Sequence, residues 1–335
     1  MTDRRSFLRT LTASAAASTL VQGVESSDKL GTILPTRVLG RTGERITSFT
    51  LGGAHCEHAE TDTESQKIIE TAIELGVRSF DNARTYGKGK AETIYGKFLV
   101  PKYRDQIFLT TKTTKTTGKE VRQELEISLR NLKTDHLDLW QIHAIQSPED
   151  VDERIKNGVL DEFLKAREEG KTRYLGFTGH TSFQAHLHML KRLRENGTPL
   201  DTCLMPINLV DPHFDSFIVN VLPQLIEEKY AIFAMKTLAC GMLLGEPPVW
   251  RRGIDEKPHS LTEKAGLTAT DMHHYAYSLP ITSLISGCEK TAQLRQNIDI
   301  LHAYKGMNAE KRDKLLEKAK PFAGKHYEFY KKPIA

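Results

Sequence analysis

Ser79-Phe80-Asp81-Asn82-Ala83-Arg84-Thr85-Tyr86-Gly87-Lys88-Gly89-Lys90-Ala91-Glu92 opens as a short apolar strand, ends on an acid, and turns on glycines into a helix. The helical period runs on from Ala91 to Leu99. A strand, a polar loop and a helix in this order make half of a parallel βαβ unit. In α/β proteins the loops at the carboxyl ends of parallel strands carry the chemistry. Asp81 at the strand end and Tyr86 on the loop are therefore candidate functional residues. The plain structural alternative is a loop-capping acid beside a surface tyrosine.

The same unit recurs in both directions. Thr36 to Ile46 reads as a hairpin turning near Gly40 to Gly43, and Ile46 to Gly52 as an apolar strand. Thr61-Asp62-Thr63-Glu64 is a capping box that starts a helix ending at Gly76. Further strands are expected at Gln106–Lys112, His136–His143, Thr172–Thr178, Thr202–Asn208, Ala231–Leu238 and Ser283–Gly287. Helices follow them at Lys119–Leu132, Gly158–Glu169, Thr181–Gly197, Phe214–Glu228, Asp271–Leu279 and Thr291–Leu301. Strand–helix pairs repeating at roughly thirty residues imply a parallel, right-handed architecture. Eight of them predict an α/β fold of the (β/α)8 TIM-barrel type. An N-terminal β-hairpin precedes it and an extra charged C-terminal helix, Asn308–Lys320, follows. An open doubly wound sheet would carry GxGxxG after its first strand, where this chain has Leu51-Gly52-Gly53-Ala54-His55. No composition shift follows residue 36, so 36–335 reads as one domain.

Composition narrows the function. The chain has 335 residues, 39% hydrophobic and 27% charged, with a net charge of +4 spread along its length. No basic block with interleaved aromatics suggests nucleic acid. Cys56, Cys203, Cys240 and Cys288 lie far apart without a CxxC pair, so neither a zinc nor an iron–sulfur site is expected.

In a barrel the functional face is formed by the carboxyl ends of the strands. Those ends bring Asp81 with Tyr86, then Lys112, then His143, to one rim from three neighbouring strands. Thr178 with His180, Asn208, Lys236 and Ser286 end the remaining strands. Any one of these could be a solvated strand end, a core histidine or a cap; together they suggest chemistry. A phenol is a weak acid at neutral pH, and a neighbouring ammonium favours its ionised form. A carboxylate keeps that ammonium charged, and a histidine can hydrogen-bond a carbonyl oxygen. Such a group can protonate oxygen while a hydride arrives at carbon, and the hydride must come from a cofactor.

Over residues 36–305 the chain resembles the aldo-keto reductase family. The likeness rests on Phe80-Asp81-Asn82-Ala83-Arg84-Thr85-Tyr86-Gly87 with Glu92, on Thr111-Lys112-Thr113, and on Leu139-Trp140-Gln141-Ile142-His143. It implies a barrel that binds NADPH, with NADH possible, and reduces aldehydes or ketones or oxidises the alcohols. It implies Tyr86 as proton donor, Asp81 and Lys112 as its tuners, and His143 as the group orienting a small-molecule carbonyl. For the cofactor it points to Gly53, Thr178, Asn208, Lys236, Ser286, Gly287, Gln293 and Asn297, with Lys290 or Arg295 near a 2'-phosphate. Thr178-Gly179 replaces the usual Ser-Asn, Leu204 a usual Gln, and Met235 the usual nicotinamide-stacking Tyr. A nicotinamide-binding regulatory subunit with little turnover and a sugar epimerase with a retained cofactor are the alternative functions. The acid-rich segment Ala144–Asn157 and the Gly245–Pro258 loop, with Trp250, Arg251 and Arg252, are expected to reach toward substrate or cofactor.

Residues 1–30 stand apart. Arg4-Arg5 with Phe7-Leu8, followed by the small-residue run Leu11–Val21, resembles a twin-arginine export signal. The run is too short for a membrane span. Residues 1–30 are thus expected to be a signal or disordered tail, and the protein periplasmic or exported, with a cytoplasmic location as the alternative. Oligomeric state is not legible.

Overall fold

The computed structural model describes residues 26–56, 61–248, 251 and 258–331. Strands are β1 (Ser27–Asp28), β2 (Gly31–Thr32), β3 (Thr36–Val38), β4 (Arg45–Thr47), β5 (Phe49–Gly52), β6 (Ser79–Asp81), β7 (Phe108–Thr113), β8 (Leu137–Ile142), β9 (Thr172–Thr178), β10 (Thr202–Pro206), β11 (Ala231–Met235) and β12 (Ser283–Gly287). Strands β5 to β12 form a closed barrel in chain order. Every neighbouring pair is parallel, and β12 meets β5 with Leu284 opposite Phe49. Residues of β6, β7 and β8 are buried along the whole strand. That is what a sheet covered by helices outside and filled by side chains inside requires.

The β3–β4 hairpin closes the amino end of the barrel. Leu39 and Ile46 enter a cluster with Phe108, Leu139, Leu204 and Phe233. The turn that delivers Leu39 needs Gly40, which has φ +53 and approaches so closely that a Cβ would lie 2.4 Å from the Ala231 amide nitrogen. With this end plugged, the opposite rim is left for the site.

Four features differ from the expectation. The Arg4-Arg5 motif lies outside the described residues, but Ser27 and Asp28, assigned to the tail, form a second hairpin. Asp28 holds Arg78 through Oδ2, 2.7 Å from Nε. The Ala144–Asn157 segment is not a loop toward substrate: Pro148–Lys156 is a helix. Ser147 caps it by accepting from the Asp150 amide, and Pro148 sits at its first turn. Its acids serve structure, with Asp150 on Arg154 at 2.8 Å and Asp152 on His188 and Arg192, each at 3.0 Å. The helix expected over Phe214–Glu228 breaks into Phe217–Asn220 and Leu222–Glu227 just before Pro223. The strand expected to reach Leu238 stops at Met235 because Lys236 takes φ +60.

Two core histidines make folding sensitive to acid. His186 lies between the rings of Phe177 and Phe217, and His273 faces Asn297. Burial pushes both down to about 4. The folded state thus keeps them neutral. Their contribution is complete above the unfolded value near 6.5 and is lost as pH falls toward 4. Each shift corresponds to about 3 kcal/mol. The thermal midpoint is expected to fall over that range, and less steeply in His186→Phe. Equal slopes for the two proteins would contradict this assignment.

Candidate active site

Three rim positions are set by hydrogen bonding that continues past the strand ends. The Asn82 amide donates to Thr110 O at 2.9 Å, Arg84 to Lys112 O at 3.0 Å, and His143 to Thr113 O at 2.8 Å. These bonds bring the four predicted catalytic residues together. Lys112 Nζ donates to Asp81 Oδ2 and Asn82 O, each at 2.7 Å, and to the Tyr86 hydroxyl at 3.4 Å. Asp81 Oδ1 is also within 2.7 Å but accepts no hydrogen bond. The His143 ring meets Tyr86 edge-on, with centroids 5.8 Å apart.

Lys112 and Asp81 are both buried. Burial works against the Lys112 charge, yet Asp81 and Tyr86 outweigh it and hold the ammonium above its ordinary range. Burial raises Asp81 against the pull of Lys112. The ammonium direction is decisive, because Lys112 Nζ donates to three oxygens at once. His143 is pushed well below its ordinary value by burial, then by Lys112, His180, Lys236 and Arg154. It is a neutral imidazole in a cationic neighbourhood.

Glu92, in the same motif, supports this frame from behind. It is buried, accepts from Thr111 Oγ1 at 2.7 Å and from Asn131 Nδ2 at 3.1 Å, and so ties β7 to two helices.

The residues singled out for the cofactor divide into two groups. Ser286 and Gly287 end β12, and Asn297 Nδ2 reaches Ser286 Oγ at 3.2 Å. Gln293 Oε1 accepts from the Glu289 and Lys290 amides at 2.8 and 3.1 Å, shaping the start of helix Thr291–Ala303. Lys290 and Arg295 are exposed there. This set, with the amino end of a long helix, suits an anionic dinucleotide. Lys236 lies on the same side of the rim, near Tyr86. Burial would lower it, but Cys240 and Tyr86 outweigh that and raise it.

The other group is engaged elsewhere. Asn208 is wholly buried; its Oδ1 accepts from the Val210 and Asp211 amides and its Nδ2 donates to Glu328 and Tyr330. Thr178 is buried, with its carbonyl taken by the Ile145 amide at 3.0 Å. Gly53 packs on β6, where a Cβ would meet Asp81 O at 2.9 Å. The Gly179 departure has a steric cause: a Cβ there would lie 2.6 Å from Ile145 O and 2.8 Å from His186 Cε1. Of the Gly245–Pro258 loop, Trp250 and Arg252 lie outside the described residues, and Arg251 stacks 4.0 Å over the Phe329 ring.

Sequence reading missed the C-terminal segment. Residues after helix Ala309–Ala319 fold back over the β9–β11 side of the rim. Lys331 Nζ pairs with Asp211 Oδ1 at 2.7 Å and Glu328 Oε2 at 2.8 Å, with all three side chains fully buried. Tyr330 donates to Glu328 at 3.1 Å, and its ring faces His180 and Lys236. No local period marks these residues.

A parallel barrel with an Asp–Lys–Tyr–His group at its carboxyl rim defines a class of barrel built for protonating a carbonyl oxygen. The aldo/keto reductase family profile matches residues 48–316, and the chain belongs to that family. It is an NAD(P)H-dependent oxidoreductase acting on carbonyl or alcohol substrates. It is 25% identical to L-galactose dehydrogenase of Arabidopsis thaliana, over 80% of this chain and 88% of that one. It is 25% identical to L-glyceraldehyde 3-phosphate reductase of Escherichia coli K12, over 79% and 87%. A candidate voltage-gated potassium channel β subunit of Schizosaccharomyces pombe is 25% identical, over 67% of this chain and 66% of that one.

Among solved structures, the aldo-keto reductase AKR11C1 of Bacillus halodurans superposes with a TM-score of 0.70 at 19% identity, covering 88% of this chain and 99% of that one. That likeness supports the barrel fold.

Among the described residues no group of three or more His, Cys, Asp or Glu is placed to hold a metal ion. No described helix is long and apolar enough to cross a membrane.

Proposed function

We propose that the protein reduces small aldehydes or ketones with NADPH, Tyr86 delivering the proton. The observation that carries this reading is the Lys112 ammonium, buried on Asp81 and 3.4 Å from the Tyr86 hydroxyl. When bound, the nicotinamide supplies the hydride. Lys112 donates to the phenol oxygen and stabilises the charge that develops there as the proton leaves. Asp81 keeps Lys112 charged and fixes its direction. Neutral His143 offers a hydrogen bond to the carbonyl oxygen without competing as an acid. Lys290 and Arg295 at the exposed start of helix Thr291–Ala303 support the phosphorylated dinucleotide. The names of the Arabidopsis and Escherichia relatives support a hydroxylated aldehyde as substrate. The test is NADPH oxidation across a panel of aldehydes. Consumption with none of them, despite cofactor binding, would favour the regulatory-subunit reading that the Schizosaccharomyces relative suggests.

We further propose export through the twin-arginine route with the cofactor already bound, on the strength of Arg4-Arg5-Ser6-Phe7-Leu8 alone. Cell fractionation of the wild type and of Arg4→Lys/Arg5→Lys tests it. An identical cytoplasmic distribution of both proteins would overturn it.

A further inference from the structure

Three lysines are gathered under the carboxyl rim, and their charges are not equally answered. Lys112 lies 2.7 Å from Asp81. Lys331 lies 2.7 Å from Asp211 and 2.8 Å from Glu328. Lys236 has no carboxylate within ion-pair distance among the described residues; its ammonium faces the Tyr330 ring, 5.9 Å from the centroid, and the Cys240 thiol. It sits on a left-handed residue, φ +60, directly after β11, a conformation that costs energy in a residue other than glycine. Tyr330 packs beside it and against His180, and Tyr86 is near enough to act on its charge. The charges of both Lys236 and His180 act on His143, so these groups lie on one part of the rim. The Tyr330 wall is held by the Asn208–Glu328 network, with Asn208 Nδ2 2.9 Å from Glu328 Oε1 and 3.1 Å from the Tyr330 hydroxyl.

A half-buried charge is costly unless an opposite charge meets it, and Lys236 is half-buried. We propose that Lys236 receives an oxyanion of the substrate, carboxylate or phosphate, making this part of the rim selective for carbonyl compounds that carry one. Tyr330 then acts as a positioning residue that holds the ammonium toward Tyr86. This rests on the reductase reading for the carbonyl, but the anion site can be tested separately.

Lys236→Met removes the charge at similar volume. In steady-state kinetics with NADPH, 4-oxobutanoate is compared with its methyl ester, and glyceraldehyde 3-phosphate with glyceraldehyde. The wild type is expected to prefer the anionic member of at least one pair, and which pair identifies the oxyanion. Lys236→Met should lose about 100-fold in kcat/KM for that member, on the scale of a lost charged contact. The loss for the neutral member should be at least about tenfold smaller, so that the ratio between the two members, not either rate alone, is the readout. Calorimetry of glutarate binding to the NADP⁺-saturated protein gives a readout without turnover: the wild type should bind glutarate, and Lys236→Met should bind it at least about tenfold more weakly. Lys236→Arg should recover most of the preference. Equal losses for charged and neutral members would overturn the proposal. So would weaker NADP⁺ binding in Lys236→Met with unchanged anion discrimination, which would assign Lys236 to the cofactor diphosphate. Absence of turnover in the wild type would defeat the reductase reading alone; in that case glutarate binding that does not depend on Lys236 would overturn the anion site as well.

Discussion

Replacing Tyr86 by phenylalanine is expected to lower kcat about 1,000-fold, the scale for loss of a positioned general acid. The substitution removes one oxygen from a half-buried ring and leaves Lys112 on Asp81 and Asn82. The fold and the cofactor surface at Ser286, Gln293 and Asn297 should therefore be unaffected, and NADPH affinity should stay within about twofold of the wild type, as for other changes away from a contact. Lys112→Met is a poorer probe, because it leaves the Asp81 carboxylate buried without its cation. A Tyr86→Phe protein with normal kcat would remove the phenol from the reaction.

Lys331→Met is expected to release the C-terminal segment. The substitution leaves Asp211 and Glu328 facing each other in the interior without the ammonium that joins them. Losing one partner of a buried ion pair costs about 3–5 kcal/mol. Asp211 retains Ser216 and the Phe217 and Ile218 amides as partners, so it has reason to stay in place. Glu328 relieves the conflict by undocking. Amide exchange over residues 327–331 should then accelerate about 100-fold or more, the factor corresponding to that loss. Unchanged protection would contradict the ionic anchor.

The same anchor has a pH signature. Burial, then the nearby Asp211 charge, pushes Glu328 up to about 7. A carboxyl raised in the folded state contributes fully below its unfolded value near 4.5, and the contribution is lost as pH rises through about 7. Docking of the segment should therefore weaken toward alkaline pH, opposite in sign to the acid lability of His186 and His273.

The barrel and the four-residue group were legible because each of their signals is local. Phe80-Asp81, Thr111-Lys112 and Ile142-His143 each mark the end of a buried strand, and parallel pairing brings such ends together. Helix Pro148–Lys156 carried its signal too, a Ser147 cap with Pro148 at the first turn, but its run of acids reads as a solvated loop. The C-terminal strap had no such marker. Asn208 and Glu328 meet across 120 positions, and Lys331 and Asp211 likewise. Neither partner belongs to a periodic segment that would announce the contact. The partners of Asn208 escape a sequence reading for the same reason: the segment that occupies its amide comes from the far end of the chain.

In the proposed reaction Tyr86, driven by Lys112 on Asp81, protonates the carbonyl oxygen. The most direct measurement is a single-turnover reaction of the enzyme–NADPH complex with an aldehyde, following nicotinamide oxidation in the wild type and in Tyr86→Phe at matched cofactor occupancy. Rapid oxidation with alcohol formed in equal amount is expected in the wild type, and a rate about 1,000-fold lower in the variant. Equal single-turnover rates in the two proteins would contradict it.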